Sequence, residues 1–158
     1  MAELRELLES LGCSGVRTLL NSGNAVFDSW EPAPARHAER IRTALLARLD
    51  VDTRVIVKSA REMAAIVAAN RLARIADDDS RLLVAFTSET TALEDLAALA
   101  ALVSPPDRLQ LGTHAAYLWC ANGTLKSKAG AALLGKLGQA ATTRNWATVM
   151  KIDALLRQ

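Results

Sequence analysis

Short apolar and β-branched runs alternate with Ala- and Leu-rich stretches at helical spacing along the whole chain. That alternation confines it to a mixed α and β fold, because a period of two and a period of 3.6 cannot both bury one face in the same element. Leu4, Leu7, Leu8 and Leu11 mark a first helix that Gly12 ends. Val16–Leu20 and Ala25–Phe27 read as strands joined through Asn21-Ser22-Gly23-Asn24. Prolines make residues 30–35 a loop, and 36–49 carry Ile41, Ala44, Leu45 and Leu49 on one helical face. Thr53–Val57 is a short β-branched strand. Ser59-Ala60-Arg61-Glu62 has the form of a capping box opening a helix to about Asn70.

The second half starts from Leu82–Phe86, the most hydrophobic strand, after a polar loop holding Asp77-Asp78-Asp79. Thr91-Ala92-Leu93-Glu94 is a second capping box, and its helix must stop before Pro105-Pro106. Strands at Arg108–Leu111 and Ala115–Cys120 follow, with a turn at Asn122-Gly123. Helices near 126–137 and 143–156 close the chain.

The order αββαβ followed by αβαββαα contains most of a β-α-β-β-α unit in its second part. The first part follows the same plan if one strand precedes Met1. The expected fold is therefore α+β: two ferredoxin-like β-α-β-β-α repeats sharing a core, the first strand of the first repeat absent. Residues 1–70 form the first repeat and 71–158 the second, with its C-terminal helix, the alternative being one compact unit. At 158 residues, folding buries about 70% of the unfolded chain's surface, so no staple is required.

Four segments in this order, MAELRELLESLG, VRTLLNSGNAVF (16–27), VKSAREMAAIVAAN (57–70) and TTRNWATVMKIDALL (142–156), resemble the DUF 1697 family, a domain of unknown function. The last is similar to the family's TxRNWxTV signature. Members usually begin with a further strand and a Gly-rich loop of the form ALLRGINVGG, whereas Met1 here already stands at the first helix. The resemblance implies an α+β fold with ferredoxin-like repeats and implies no activity.

Charge is unevenly placed. Residues 1–120 hold 13 Lys and Arg against 16 Asp and Glu, while residues 121–158 hold six against Asp153 alone, a net of +5. A basic C-terminal segment of this kind suits an anionic partner, and equally a solvated face. Three clusters are candidates for ligand binding. Asn21, Ser22, Gly23 and Asn24 can aim backbone amides at an oxyanion or simply make a hairpin turn. Lys126, Ser127 and Lys128 offer two ammonium groups and a hydroxyl, with Ser127 as helix cap the structural alternative. Thr143, Arg144, Asn145 and Trp146 combine a helix cap (Thr143, or Thr142 before it), a planar guanidinium fork, an amide and a stacking ring. Against that, Trp146 shares a helix with Val149, Ile152 and Leu156, which suits the core.

His37 and His114 have no partner at diagnostic spacing, and the Asp77-Asp78-Asp79 run lacks the Gly and distal Glu of a calcium loop. Cys13 and Cys120 stand alone in apolar surroundings, so no metal site, cofactor or disulfide is implied. A cytoplasmic location follows from that cysteine usage. No apolar run reaches the ~18 residues of a membrane span, so no membrane partner is expected. The leading expectation is a binding module for a phosphate-bearing ligand, nucleotide or nucleic acid. The alternatives are an enzyme acting on a small anionic metabolite and a protein-interaction module using an open sheet edge.

Overall fold

A computed structural model describes residues 1–158 as an α+β protein with six α-helices and two antiparallel sheets. The chain divides into two units, Met1–Ser59 with Ala154–Gln158, and Ala60–Asp153.

The first unit runs α1 (Ala2–Ser10), β1 (Ser14–Leu19), β2 (Asn24–Asp28) and α2 (Pro34–Leu49). Pro34 stands in the first turn of α2, where its missing N–H costs nothing. β1 and β2 form a hairpin in which Leu19 faces Asn24. Leu7, Leu8, Cys13, Val16, Ile41, Ala44 and Leu45 make the core, with Val55 and Val57 packed against it from the segment that follows α2. The expected strand Thr53–Val57 joins no sheet: its valines reach the core, but no neighbouring strand pairs with it. The last residues belong here because the Arg17 guanidinium donates to the Leu155 carbonyl (2.7 Å) and to Gln158 Oε1 (2.8 Å). A cation closing a helix C-terminus in this way satisfies carbonyls that the helix leaves unpaired.

The second unit runs α3 (Ala60–Ala69), β3 (Leu82–Thr87), α4 (Thr90–Asp95), β4 (Arg108–Leu111), β5 (Ala115–Trp119), α5 (Lys128–Leu134), β6 (Ala141–Asn145) and α6 (Trp146–Leu156), the last continuing into the first unit. Its sheet has the order β4-β5-β3-β6, all pairs antiparallel. All six residues of β3 are buried, so both faces of the sheet are covered at its centre. On one face Leu83, Ala85, Ala116 and Leu118 pack with Leu93, Leu96, Leu99, Ala129 and Leu133. Across the other face runs the row Gln110, Tyr117, Val84, Arg144, paired in register. Tyr117 donates its hydroxyl to the Ile66 carbonyl at 2.7 Å. Gln110 donates to the Ala69 carbonyl and accepts from the Arg71 amide. These bonds fix α3 to the second unit, whereas the sequence reading set a boundary after residue 70.

Three further elements differ from expectation. Residues 141–145 are a strand, not the start of the last helix: Thr142 and Thr143 are β-branched and pair with Phe86 and Ala85. The helix expected over 126–137 keeps only Lys128–Leu134, flanked by short 3-10 turns. At Gly138 a Cβ would fall on the Leu133 carbonyl, so the chain can turn there only with glycine. The helix expected from Thr91 starts at Thr90 after Glu89, without a side-chain cap, and continues as a 3-10 helix to Leu102.

Tyr117 is the chain's one tyrosine, and burial pushes its phenol from 10.0 up to about 12. The folded state therefore holds that proton more tightly than the unfolded state. The associated stability is whole below pH 10 and is lost as pH rises toward 12. An ultraviolet phenolate titration of the native protein is expected to show one transition near pH 12, coincident with unfolding; a reversible midpoint near 10 in the folded protein would contradict the buried Tyr117–Ile66 bond.

Candidate functional site

The three clusters singled out in the sequence have different fates. Asn21, Ser22 and Gly23 are exposed at the tip of the β1–β2 hairpin, in the first unit. Leu20 and Gly23 take positive φ, 58° and 78°, which closes the loop. Asn24 is buried, and its amide donates to the Leu19 carbonyl and to Ser22 Oγ. Its side chain thus ties the turn together.

In the second unit, Trp146 is buried at the start of α6, so its ring offers no stacking face to a base. Asn145 Oδ1 accepts from the Thr148 amide at 2.9 Å, which makes Asn145 the helix cap, a role the sequence reading gave to Thr142 or Thr143. Thr143 lies within β6 opposite Ala85, and its carbonyl accepts from the Arg144 guanidinium at 2.9 Å. Arg144 is half-buried on the sheet row with Val84, and desolvation draws its pKa below the ordinary value. A phosphate fork needs its nitrogens turned outward; this one is spent partly on its own strand.

Lys126, Ser127 and Lys128 remain. Ser127 is buried and accepts from the Gly130 amide at 3.0 Å, capping α5. Lys126 and Lys128 are exposed and line a cavity of about 190 Å³ together with Leu102, Ser104, Pro105, Pro106, Asp107, Asn122 and Gly123.

The position of this cavity follows from the strand register. Arg108 at the start of β4 faces Trp119 at the end of β5. The segments entering β4 and leaving β5 therefore meet at one end of the hairpin. Asp107 Oδ1 accepts from the Ala121 amide at 2.9 Å, and the Arg81 guanidinium donates to the Ala121 carbonyl at 3.0 Å. Both backbone groups of Ala121 are thereby fixed by side chains, which gives the cavity one rigid wall. Thr143–Trp146 are not among its lining residues. Ser104, Pro105, Pro106, Asp107 and Asn122 were missed in the sequence, because they read as a helix stop and a turn. Only the pairing of β4 with β5 shows that they face Lys126 and Lys128.

No group of His, Cys, Asp and Glu is arranged to hold a metal ion. No helix is long and apolar enough to cross a membrane. Cys13 and Cys120 are buried free thiols, each pushed up in pKa chiefly by burial.

Two units, a four-stranded antiparallel sheet in the second and a small cavity at one end of its β4–β5 hairpin define an α+β scaffold. The family described as Protein of unknown function (DUF1697) matches residues 1–117, and the chain belongs to that family. Its structure is similar to that of the conserved bacterial protein SP0830 from Streptococcus pneumoniae, with 25% identity and a TM-score of 0.80. That likeness covers 99% of this chain and 88% of the other. No curated protein matches the chain.

Replacing Asn145 by Ala is expected to remove the α6 cap and lower stability by about 1 kcal/mol, while Asn145→Asp stays within a few tenths. Urea unfolding of the two variants checks this; equal losses would show that the Thr148 bond contributes nothing as a cap.

Proposed function

We propose that the protein is a binding module for a phosphate-bearing ligand, held at the cavity between the segments that enter β4 and leave β5. The observation that carries the reading is the presence of two exposed lysines, Lys126 and Lys128, among the residues lining one cavity in the basic C-terminal segment of the chain. Lysine is a compact point charge with three donors, suited to phosphate oxygens. The Trp146 ring and Arg144 fork do not add to it, which favours a small ligand over a nucleic-acid strand. The same reading takes the two units as ferredoxin-like repeats. In the second, the order β-α-β-β-α-β and the strand order β4-β5-β3-β6 support it. A cytoplasmic location belongs to this proposal and is supported by the two free thiols.

Thermal unfolding in inorganic phosphate, in short RNA and DNA, and in chloride at equal ionic strength tests the reading. At 100 times its dissociation constant a ligand stabilises by about 2.7 kcal/mol, several degrees for a domain of this size. Phosphate is expected to raise the midpoint, and the double variant Lys126→Ala/Lys128→Ala to abolish the rise. A rise that survives in the double variant would remove the cavity from consideration.

One observation favours a second reading, a protein-interaction module. The sheet of the first unit holds only β1 and β2, so each of these strands keeps one edge outside the ladder. Added strands bind where backbone donors and acceptors lack ladder partners. If a second copy supplies such a strand, raising the concentration into the millimolar range should produce dimers with slowed amide exchange along β2. A monomer with unchanged β2 exchange counts against it.

A further inference from the structure

We propose that the ligand of the β4–β5 cavity is a small phosphorylated sugar or polyol, not a nucleotide; this rests on the phosphate reading above and specifies it. Three features of the cavity point that way. Its volume of about 190 Å³ lies below the 300–1,000 Å³ typical of pockets that enclose drug-sized ligands. No aromatic side chain is among its lining residues, so a base would have no ring to stack on. Its charges are mixed: Asp107 stands on the wall opposite in sign to Lys126 and Lys128.

Asp107 decides the chemistry. Its carboxylate has about four acceptor positions, and one, on Oδ1, is used by the Ala121 amide. The remainder suit hydroxyl donors and repel phosphate oxygens. A bare phosphate therefore meets attraction from the lysines and repulsion from Asp107. A ligand that carries hydroxyls beside its phosphate satisfies both signs at once. Ser104 and Asn122 add further hydroxyl and amide groups to the wall, and Pro105 and Pro106 give it an apolar face for the C–H side of a sugar ring. The Ala121 clamp holds Asp107 in place before any ligand arrives, so little ordering is required on binding.

Calorimetric titration of the full chain with inorganic phosphate, ribose 5-phosphate, ribose and AMP tests this. Ribose 5-phosphate is expected to bind at least about tenfold more tightly than phosphate, a gap of about 1.4 kcal/mol, and ribose not measurably. Asp107→Asn keeps an oxygen for the Ala121 amide but loses the carboxylate's spare acceptors. It should shrink the gap to under threefold while slightly tightening phosphate. Equal binding of phosphate and ribose 5-phosphate would overturn the sugar-phosphate assignment and leave the phosphate reading standing. AMP binding more tightly than ribose 5-phosphate overturns it in favour of a nucleotide. No binding by any of the four removes the phosphate reading and this inference together.

Discussion

The pairing of β3 with a neighbour on each side organises the second unit. Leu82–Thr87 pairs with β5 along one edge and β6 along the other, and each of its six residues is buried. A strand buried on both faces must carry apolar side chains or partnered polar ones, as Thr87 is by donating its hydroxyl to the Glu89 carbonyl, and its backbone groups must find their partners in the ladders, because no water reaches them. Once it is in place, β5 brings β4 and the cavity loops with it, and β6 delivers Asn145 to the start of α6. Arg81, one residue before β3, fixes the Ala121 carbonyl, and its own carbonyl accepts from the Cys120 amide. The cavity wall is therefore tied directly to the central strand.

The second consequence concerns the polar residues that stand out in the sequence. Asn24, Ser127 and Asn145 each sit where the chain changes conformation, and each side chain hydrogen-bonds a backbone group or a neighbouring hydroxyl that the adjoining element leaves unsatisfied. Helix starts and hairpin ends create such orphan groups wherever they occur. A motif such as Thr-Arg-Asn-Trp can thus be a strand end, a cap and a core anchor in succession, with no ligand required. The two helix caps, Ser127 and Asn145, contribute on the order of 1 kcal/mol each, a sizeable part of a marginal stability.

Much of the architecture was legible in the sequence, and the failures share a cause. β3, β4, β5 and the first hairpin carry period-two or continuous apolar runs, which few other elements can bury. β6 was hidden because Ala141–Asn145 is an edge strand of mostly polar residues, whose Thr side chains resemble helix caps when the pairing with β3 is not known. Thr53–Val57 failed in the opposite sense: its β-branched residues suit a strand, yet a strand needs a partner and local pattern does not supply one. The candidate site was legible only in Lys126 and Lys128. Its other half, from Ser104 to Asp107, is brought opposite by the antiparallel register of Arg108 with Trp119, a relation that no local window contains.

That register also explains why chemistry is best sought at this end of the hairpin. The opposite end is closed by the short turn at Gly112–His114, where Gly112 donates to the Ala115 carbonyl and a Cβ on Gly112 would press on Tyr117. The turn is tight because two strands must be joined in three residues, which leaves no room for a ligand. At the cavity end the chain instead leaves for α4 on one side and α5 on the other, and those diverging segments open a space they do not fill. Variable loops held by a rigid scaffold are where folds carry function. Here the rigid part is β3 with Arg81 and Ala121, and the loops it holds bear Pro105, Asp107, Lys126 and Lys128. These residues lie outside the ladders that β3 makes with β5 and β6, so under the proposed reading a change at Lys126 or Lys128 alters the cavity without disturbing the pairing of β3.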